Sequence, residues 1–168
     1  LTDRFGRIHR DLRISLTDHC NLRCTYCMPA EGVPWLPRKT LLTPEELMRI
    51  VRVAVGEGIE EVRLTGGEPL LRPDCVAVVA AIASVEPRPE ISITTNGIGL
   101  SRLAEALKQA GLARVNISLD TLKPDRFHQL TRRNRLADVL AGIAAADAAG
   151  LHPVKLNALQ LRDINDDE

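Results

Sequence analysis

The sequence predicts an α/β fold, a partial, TIM-like barrel of parallel strands with helices on its outer face. Three observations carry this. First, one pattern occurs three times, at Gly58-Ile59-Glu60-Glu61-Val62-Arg63-Leu64, Gly111-Leu112-Ala113-Arg114-Val115-Asn116-Ile117 and Gly150-Leu151-His152-Pro153-Val154-Lys155-Leu156. Each copy reads as a helix-ending glycine that leads into a strand. Second, faces of helical period lie between the copies, and strand–helix–strand alternation at this spacing marks a parallel sheet. Third, five strands share one alternation: an apolar face (Leu12, Ile14, Val62, Leu64, Ile91, Ile93, Val115, Ile117, Val154, Leu156) and a polar one (Arg13, Ser15, Arg63, Thr65, Ser92, Thr94, Asn116, Ser118, Lys155, Asn157). Strands buried on both sides read apolar throughout, and a closed eight-stranded barrel fills its interior with Val, Ile and Leu. A polar inner face therefore predicts a wider or unclosed barrel with a lumen for a polar ligand. Arg13, Arg63 and Lys155 point into it, so that ligand is expected to be anionic.

In chain order, Leu12 to Leu16 form the first strand, and a cysteine-rich loop follows it directly. Pro29, Gly32, Pro34 and Pro37 make an irregular connection, with Trp35 as a packing anchor in a loop placed to cover the cysteines. Thr43-Pro44-Glu45-Glu46 combines an N-cap, a first-turn proline and a capping-box glutamate. Leu47, Ile50, Val51 and Ala54 then predict one face of a helix that ends at Gly56 or Gly58. Further faces are Val76, Val79, Ala80 and Ala83, then Leu103, Leu107 and Ala110, then Leu136, Val139, Leu140 and Ile143. The run Arg132-Arg133-Asn134-Arg135 reads as a solvated loop before the last of these helices. Five strands do not close a barrel and leave an open edge, so residues 1–168 are expected to be the N-terminal portion of a longer domain.

Composition narrows the function classes. Acidic and basic residues number 22 each, which gives no reason to expect nucleic acid or an anionic membrane as partner. No run approaches the roughly 18 apolar residues of a membrane span, and no secretory signal opens the chain. Four cysteines in such a chain read as metal ligands in a reducing compartment, the cytoplasm, rather than as a disulfide framework.

Three of those cysteines, Cys20, Cys24 and Cys27, fall within eight residues. Structural zinc takes four ligands, and an iron–sulfur cubane offers four iron corners. Three thiolates thus suggest a [4Fe–4S] cluster with one iron left for something other than protein. The alternative is a zinc-binding module, with His19 or Cys75 as fourth ligand. Cys75, on a helical pattern, reads better as a small core residue. At the end of the second strand stands Thr65-Gly66-Gly67-Glu68-Pro69-Leu70-Leu71, where two glycines permit close backbone approach and a carboxylate can meet an ammonium group. Thr95-Asn96-Gly97 and Ser118-Leu119-Asp120 end the next two strands. In a barrel this is the end where sites are built.

The Cys-x3-Cys-x2-Cys spacing with an aromatic before the last Cys, followed by Gly-Gly-Glu-Pro, resembles the radical S-adenosylmethionine (SAM) enzymes. Arg10-Asp11-Leu12-Arg13-Ile14-Ser15, Cys27-Met28-Pro29, the run from Arg63 to Leu70, Thr94-Thr95-Asn96-Gly97 and Asn116-Ile117-Ser118-Leu119-Asp120 are similar to the GTP 3′,8-cyclases of molybdenum cofactor biosynthesis. The resemblance implies a lyase. SAM chelates the open iron and is split to a 5′-deoxyadenosyl radical, which converts GTP to (8S)-3′,8-cyclo-7,8-dihydroguanosine 5′-triphosphate. By motif position it assigns Cys20, Cys24 and Cys27 to the cluster. It assigns Tyr26, Gly67, Glu68 and Ser118 to the SAM site, Glu68 as support of the glycine turn. Arg13, Arg63, Thr94 and Lys155 fall to GTP. A homodimer is compatible with it, and the electron donor is left open. It further implies a second [4Fe–4S] cluster in a C-terminal half absent from these 168 residues, so the chain alone is expected not to complete the cyclisation. A peptide-modifying maturase of the same superfamily would share the cysteines and the Gly-Gly-Glu-Pro turn without needing three lumen cations.

Overall fold

The computed structural model describes residues 2–168. Five strands, β1 (Asp11–Ser15), β2 (Glu61–Thr65), β3 (Glu90–Thr95), β4 (Arg114–Ser118) and β5 (Val154–Asn157), form one sheet in sequence order, each parallel to its neighbours. Helices α1 (Pro44–Gly56), α2 (Cys75–Ala83), α3 (Leu100–Ala110), α4 (Pro124–Thr131) and α5 (Leu136–Ala148) connect them. The fold is therefore the α/β partial barrel that the repeats predicted.

The apolar strand face supplies the core. Val62, Leu64, Ile91, Ile93, Val115 and Ile117 are buried together with Leu47 and Val51 of α1, Val78, Val79 and Ile82 of α2, Leu107 of α3 and Val139 of α5. Helix α1 begins as predicted, with the Thr43 side chain accepting from the Glu46 N–H and the Glu46 carboxylate accepting from the Thr43 N–H. Its inward face holds the expected Leu47 and Val51, joined by Val55, while Ala54 is only half-buried. Ile50 lies on the flank and is exposed, as are Ala80 of α2 and Leu140 of α5. On α1 the buried stripe is purely i, i+4, whereas α2 (Cys75, Val78, Val79, Ile82) and α5 (Leu136, Val139, Gly142, Ala146) mix i, i+3 and i, i+4 spacings, and residues beside those stripes reach solvent.

Two elements differ more from expectation. Helix α4 was not anticipated; it buries Phe127, Leu130 and Thr131. Strands β1, β2, β3 and β4 also start one residue earlier than the apolar alternation suggested, at Asp11, Glu61, Glu90 and Arg114. These added residues share the parity of the polar face, so the lumen carries a further cation and three carboxylates at its lower end.

Candidate active site

The cysteine loop is held from two sides, and both are built by backbone. As the chain leaves β1, the Leu16 N–H donates to the Thr65 carbonyl at 2.8 Å. The Gly67 and Glu68 N–H groups then donate back, to the carbonyls of Thr17 and His19, both at 2.7 Å. This approach explains the paired glycines. A Cβ on Gly66 would lie 2.3 Å from the Thr17 carbonyl oxygen, and one on Gly67 would lie 2.3 Å from that of Asp18 and 2.4 Å from that of His19. The close contact is thus made first to the chain's own backbone beside Cys20.

Glu68 lies beneath this turn, with no exposed surface. Its Oε1 accepts from Leu70 N–H at 3.0 Å and from the Thr95 hydroxyl at 2.7 Å, while Oε2 accepts from Asn96 N–H at 2.7 Å. Burial pushes its carboxyl upward against the pull of these three donors. The carboxylate therefore ties the end of β2 to the end of β3, and it does not line the cavity above. Asn96 extends the tie, donating to Asn21 Oδ1 at 2.7 Å.

The other side of the loop rests on α4. Arg23 N–H donates to Thr131 O at 3.0 Å and Thr25 N–H to Leu130 O at 2.9 Å. These are carbonyls of the last turn, which have no intrahelical partner of their own. Arg132 caps that turn with φ 56° and sends Nη1 to Arg23 O at 2.8 Å and to Met28 O at 3.4 Å. It thus braces the cysteine loop, in contrast to the solvated role that its charge run suggested. Below, Arg23 donates to the carbonyls of Cys20 and Leu22, and Trp35 covers both Arg23 (5.4 Å) and His19 (ring centroids 5.1 Å apart).

Held in this way, Cys20, Cys24 and Cys27 line one cavity of about 280 Å³ together with Tyr26, Gly67, Thr94, Ser118 and Asp120. The Tyr26 hydroxyl donates to Asp120 Oδ2 at 2.6 Å, and the Asp120 Oδ1 accepts from Leu159 N–H at 2.9 Å. Burial raises the Cys20 thiol and pushes Cys24 up to about 11. Among the described residues, no three His, Cys, Asp or Glu side chains are already drawn into a metal-holding group. The donor set nevertheless fits a cluster bound at three corners: three thiols line one cavity, together with the polar groups of Tyr26, Thr94, Ser118 and Asp120 and the apolar side chains of Leu22, Leu119, Phe127 and Leu130. The fourth ligands considered for zinc stand elsewhere. His19 stacks on Trp35, and Cys75 is buried in the core, where desolvation pushes its thiol up to about 12.

A second cavity of about 290 Å³ opens beside the first, lined by Arg13, Arg63, Thr65, Thr94, Arg114, Asn116, Lys155 and Asn157. Thr65 and Thr94 line both cavities, so the two adjoin. All four side chains predicted for the anionic ligand fall here. The predicted cluster residues, Tyr26, Gly67 and Ser118 fall in the first cavity. Residues that the alternation missed are Arg114 and Glu61 in the lumen and Asp120 above it. A parity count extended one residue before each apolar strand start would have found the first two.

Residues 14–168 match the radical SAM superfamily, and the chain belongs to it. This family is defined by a [4Fe–4S] cluster and SAM. Within it, the chain is 62% identical over 169 residues to the GTP 3′,8-cyclase of Streptomyces coelicolor, covering 100% of this chain and 50% of that protein. It is also 62% identical over 160 residues to the GTP 3′,8-cyclase of Mycolicibacterium smegmatis, covering 95% and 44%. The chain thus spans about half the length of the curated relatives it matches. Among solved structures it superposes on Streptococcus suis SuiB bound to S-adenosylmethionine (TM-score 0.69, 21% identity, 92% of this chain and 34% of that one). It also superposes on HydG, a maturase of the [FeFe]-hydrogenase (TM-score 0.68, 17% identity, 89% and 34%). These two likenesses concern the fold alone. No helix of the described residues is long and apolar enough to cross a membrane.

Proposed function

We propose that this chain carries the SAM-cleaving site and part of the GTP site of a cytoplasmic GTP 3′,8-cyclase in molybdenum cofactor biosynthesis. The observation that carries this reading is the shared wall of Thr65 and Thr94 between a three-thiol cavity and a cationic lumen. In it, Cys20, Cys24 and Cys27 hold a [4Fe–4S] cluster. That cluster, with SAM bound, supplies a 5′-deoxyadenosyl radical for removal of hydrogen from the ribose of GTP.

The chain's own residues then have defined tasks. Gly67, Ser118 and Tyr26 form the walls against which SAM lies, and Glu68 keeps the Gly67 turn in place from below. Arg13, Arg63 and Lys155 meet the triphosphate by charge-assisted hydrogen bonds, and Thr94 stands where the two cavities join. Arg13 and Lys155 make no hydrogen bond or ion pair among the described residues, and the Arg63 Nε is buried without an acceptor. The charged ends of Arg13 and Lys155 are open to an anion. A second cluster, in the half of the relatives that this chain does not span, belongs to the same reading.

Anaerobic reconstitution tests it. The wild-type chain should take up about four irons and turn brown, and Cys24→Ala should stay colourless. Lys155→Ala should weaken GTP binding and leave SAM cleavage in place. Stoichiometric zinc without iron would refute the cluster. Failure of GTP to protect the reconstituted protein from proteolysis would favour a peptide-modifying enzyme of the same superfamily.

A further inference from the structure

The lumen is layered by charge. Asp11, Glu61 and Glu90 are register partners along three neighbouring strands and form a row of carboxylates. Two residues further along the strands, Arg13, Arg63, Ser92 and Arg114 form the next row. Glu61 joins the rows. Its Oε1 accepts from Arg63 Nη2 at 3.2 Å, from Arg114 Nη2 at 2.5 Å and from the Ser92 hydroxyl at 3.2 Å. Glu90 accepts from Arg114 Nε at 2.7 Å. Burial works to raise the Glu61 carboxyl, but the bonds from Arg63, Arg114 and Ser92 outweigh it and hold it below the usual range.

The four lumen cations are therefore not equivalent. Arg114, with a side chain only 13% exposed, is neutralised by two carboxylates. Arg63 spends one nitrogen on Glu61 and has Asp11 at 3.9 Å. Arg13 and Lys155 stand on β1 and β5, the two outer strands of the sheet, with nothing among the described residues to neutralise them. Among the described residues, Glu61 is the one carboxylate that contacts both a spent cation and one facing the ligand.

We infer that Glu61 is a specificity-determining residue of the lumen: it withholds Arg114 from the ligand and limits the negative charge that the lumen accepts. This rests on the reading of the lumen as a triphosphate site. Under it, the phosphates are met by Arg13, Arg63 and Lys155, and the carboxylate row keeps them from sinking toward Arg114.

The test is calorimetric titration of the chain with inorganic tripolyphosphate, with guanosine as an uncharged control. Glu61→Gln keeps the shape and removes the charge. A carboxylate one row away, about 6.6 Å along a strand, repels a unit charge enough to change binding about threefold in a water-like dielectric. Tripolyphosphate should therefore bind the variant at least about threefold tighter. The gain should shrink as salt is raised, and guanosine binding should not change. Glu61→Asp, which keeps the charge, should bind like wild type. Glu90→Gln, which frees Arg114 only in part, should shift binding in the same direction by less, and it decides the matter if Glu61→Gln does not fold. Unchanged or weaker binding in Glu61→Gln, or a gain that salt does not reduce, would overturn the inference. A different result would sink the triphosphate reading itself: wild type that ignores tripolyphosphate, or a Lys155→Ala chain that binds it undiminished.

Discussion

Gly67→Ala isolates the backbone contact that seats the cysteine loop. The added Cβ would stand 2.3 Å from Asp18 O, 2.4 Å from His19 O and 2.7 Å from His19 C, all backbone atoms that cannot swing aside. Carbon–oxygen contacts of ordinary length begin near 3.3 Å, so the turn and the strand end must part by roughly 1 Å. That movement strains the two 2.7 Å hydrogen bonds from Gly67 and Glu68. Each is worth about 1 kcal/mol, and overpacking adds about 1–3 kcal/mol. The sum is about 3–5 kcal/mol, or a loss of roughly 6–20 °C in Tm for a chain of this size. Thermal unfolding followed by circular dichroism measures it, with Gly56→Ala as the matched control. Gly56 ends α1 with nothing within 4 Å of an added Cβ, so that change should be neutral or stabilise by up to about 1 kcal/mol. Iron uptake should fall in Gly67→Ala and stay normal in Gly56→Ala. A Gly67→Ala chain that melts within about 2 °C of wild type would refute the steric reasoning.

Two further predictions concern the braces around the loop. Arg132→Ala removes the guanidinium that holds the carbonyls of Arg23 and Met28. It should raise the rate of thiol alkylation at the loop several-fold while costing only about 1–2 kcal/mol of global stability; equal alkylation rates would show that α4's carbonyls suffice. Asp74 is held below its usual 3.8 by hydrogen bonds from Arg72, whose guanidinium also reaches Leu16 O and Leu42 O. Because the folded-state value is depressed, this contribution is complete above that pH and is lost as pH falls through the folded-state value. Asp74→Asn should lower stability at neutral pH and flatten the acid limb of the stability curve, read from urea midpoints; parallel curves would exclude the pair as an acid-sensitive element.

The sheet was legible because its two faces differ in kind. Alternation from Leu12 to Leu156 separates core from lumen without reference to any ligand, and the structure places Arg13, Arg63 and Lys155 on the expected side. The lower rim was not legible from the same signal. Asp11, Glu61, Glu90 and Arg114 precede the first apolar residue of each strand, where a charged residue looks like the end of a loop. Helix α4 escaped for a different reason. Its eight residues contain only Phe127 and Leu130 as large apolar groups, too few to show a period, and its N-cap is Lys123, whose side chain makes no cap bond. The purpose of Gly66 and Gly67 was half legible. The sequence calls for a close approach there, but only the folded chain shows that the partner is residues 17–19.

The grip of α4 on the cysteine loop has a consequence in time. Arg23 and Thr25 donate to carbonyls more than a hundred positions later in the chain, and Tyr26 donates to Asp120. At about 5–20 residues per second of synthesis, roughly 5–20 s separate the making of the three thiols from the making of the helix end that receives their loop. A nascent chain thus carries the three thiols on a loop that only the turn at Gly66 and Gly67 can hold, and the loop takes its final shape only after the fourth strand and α4 have emerged.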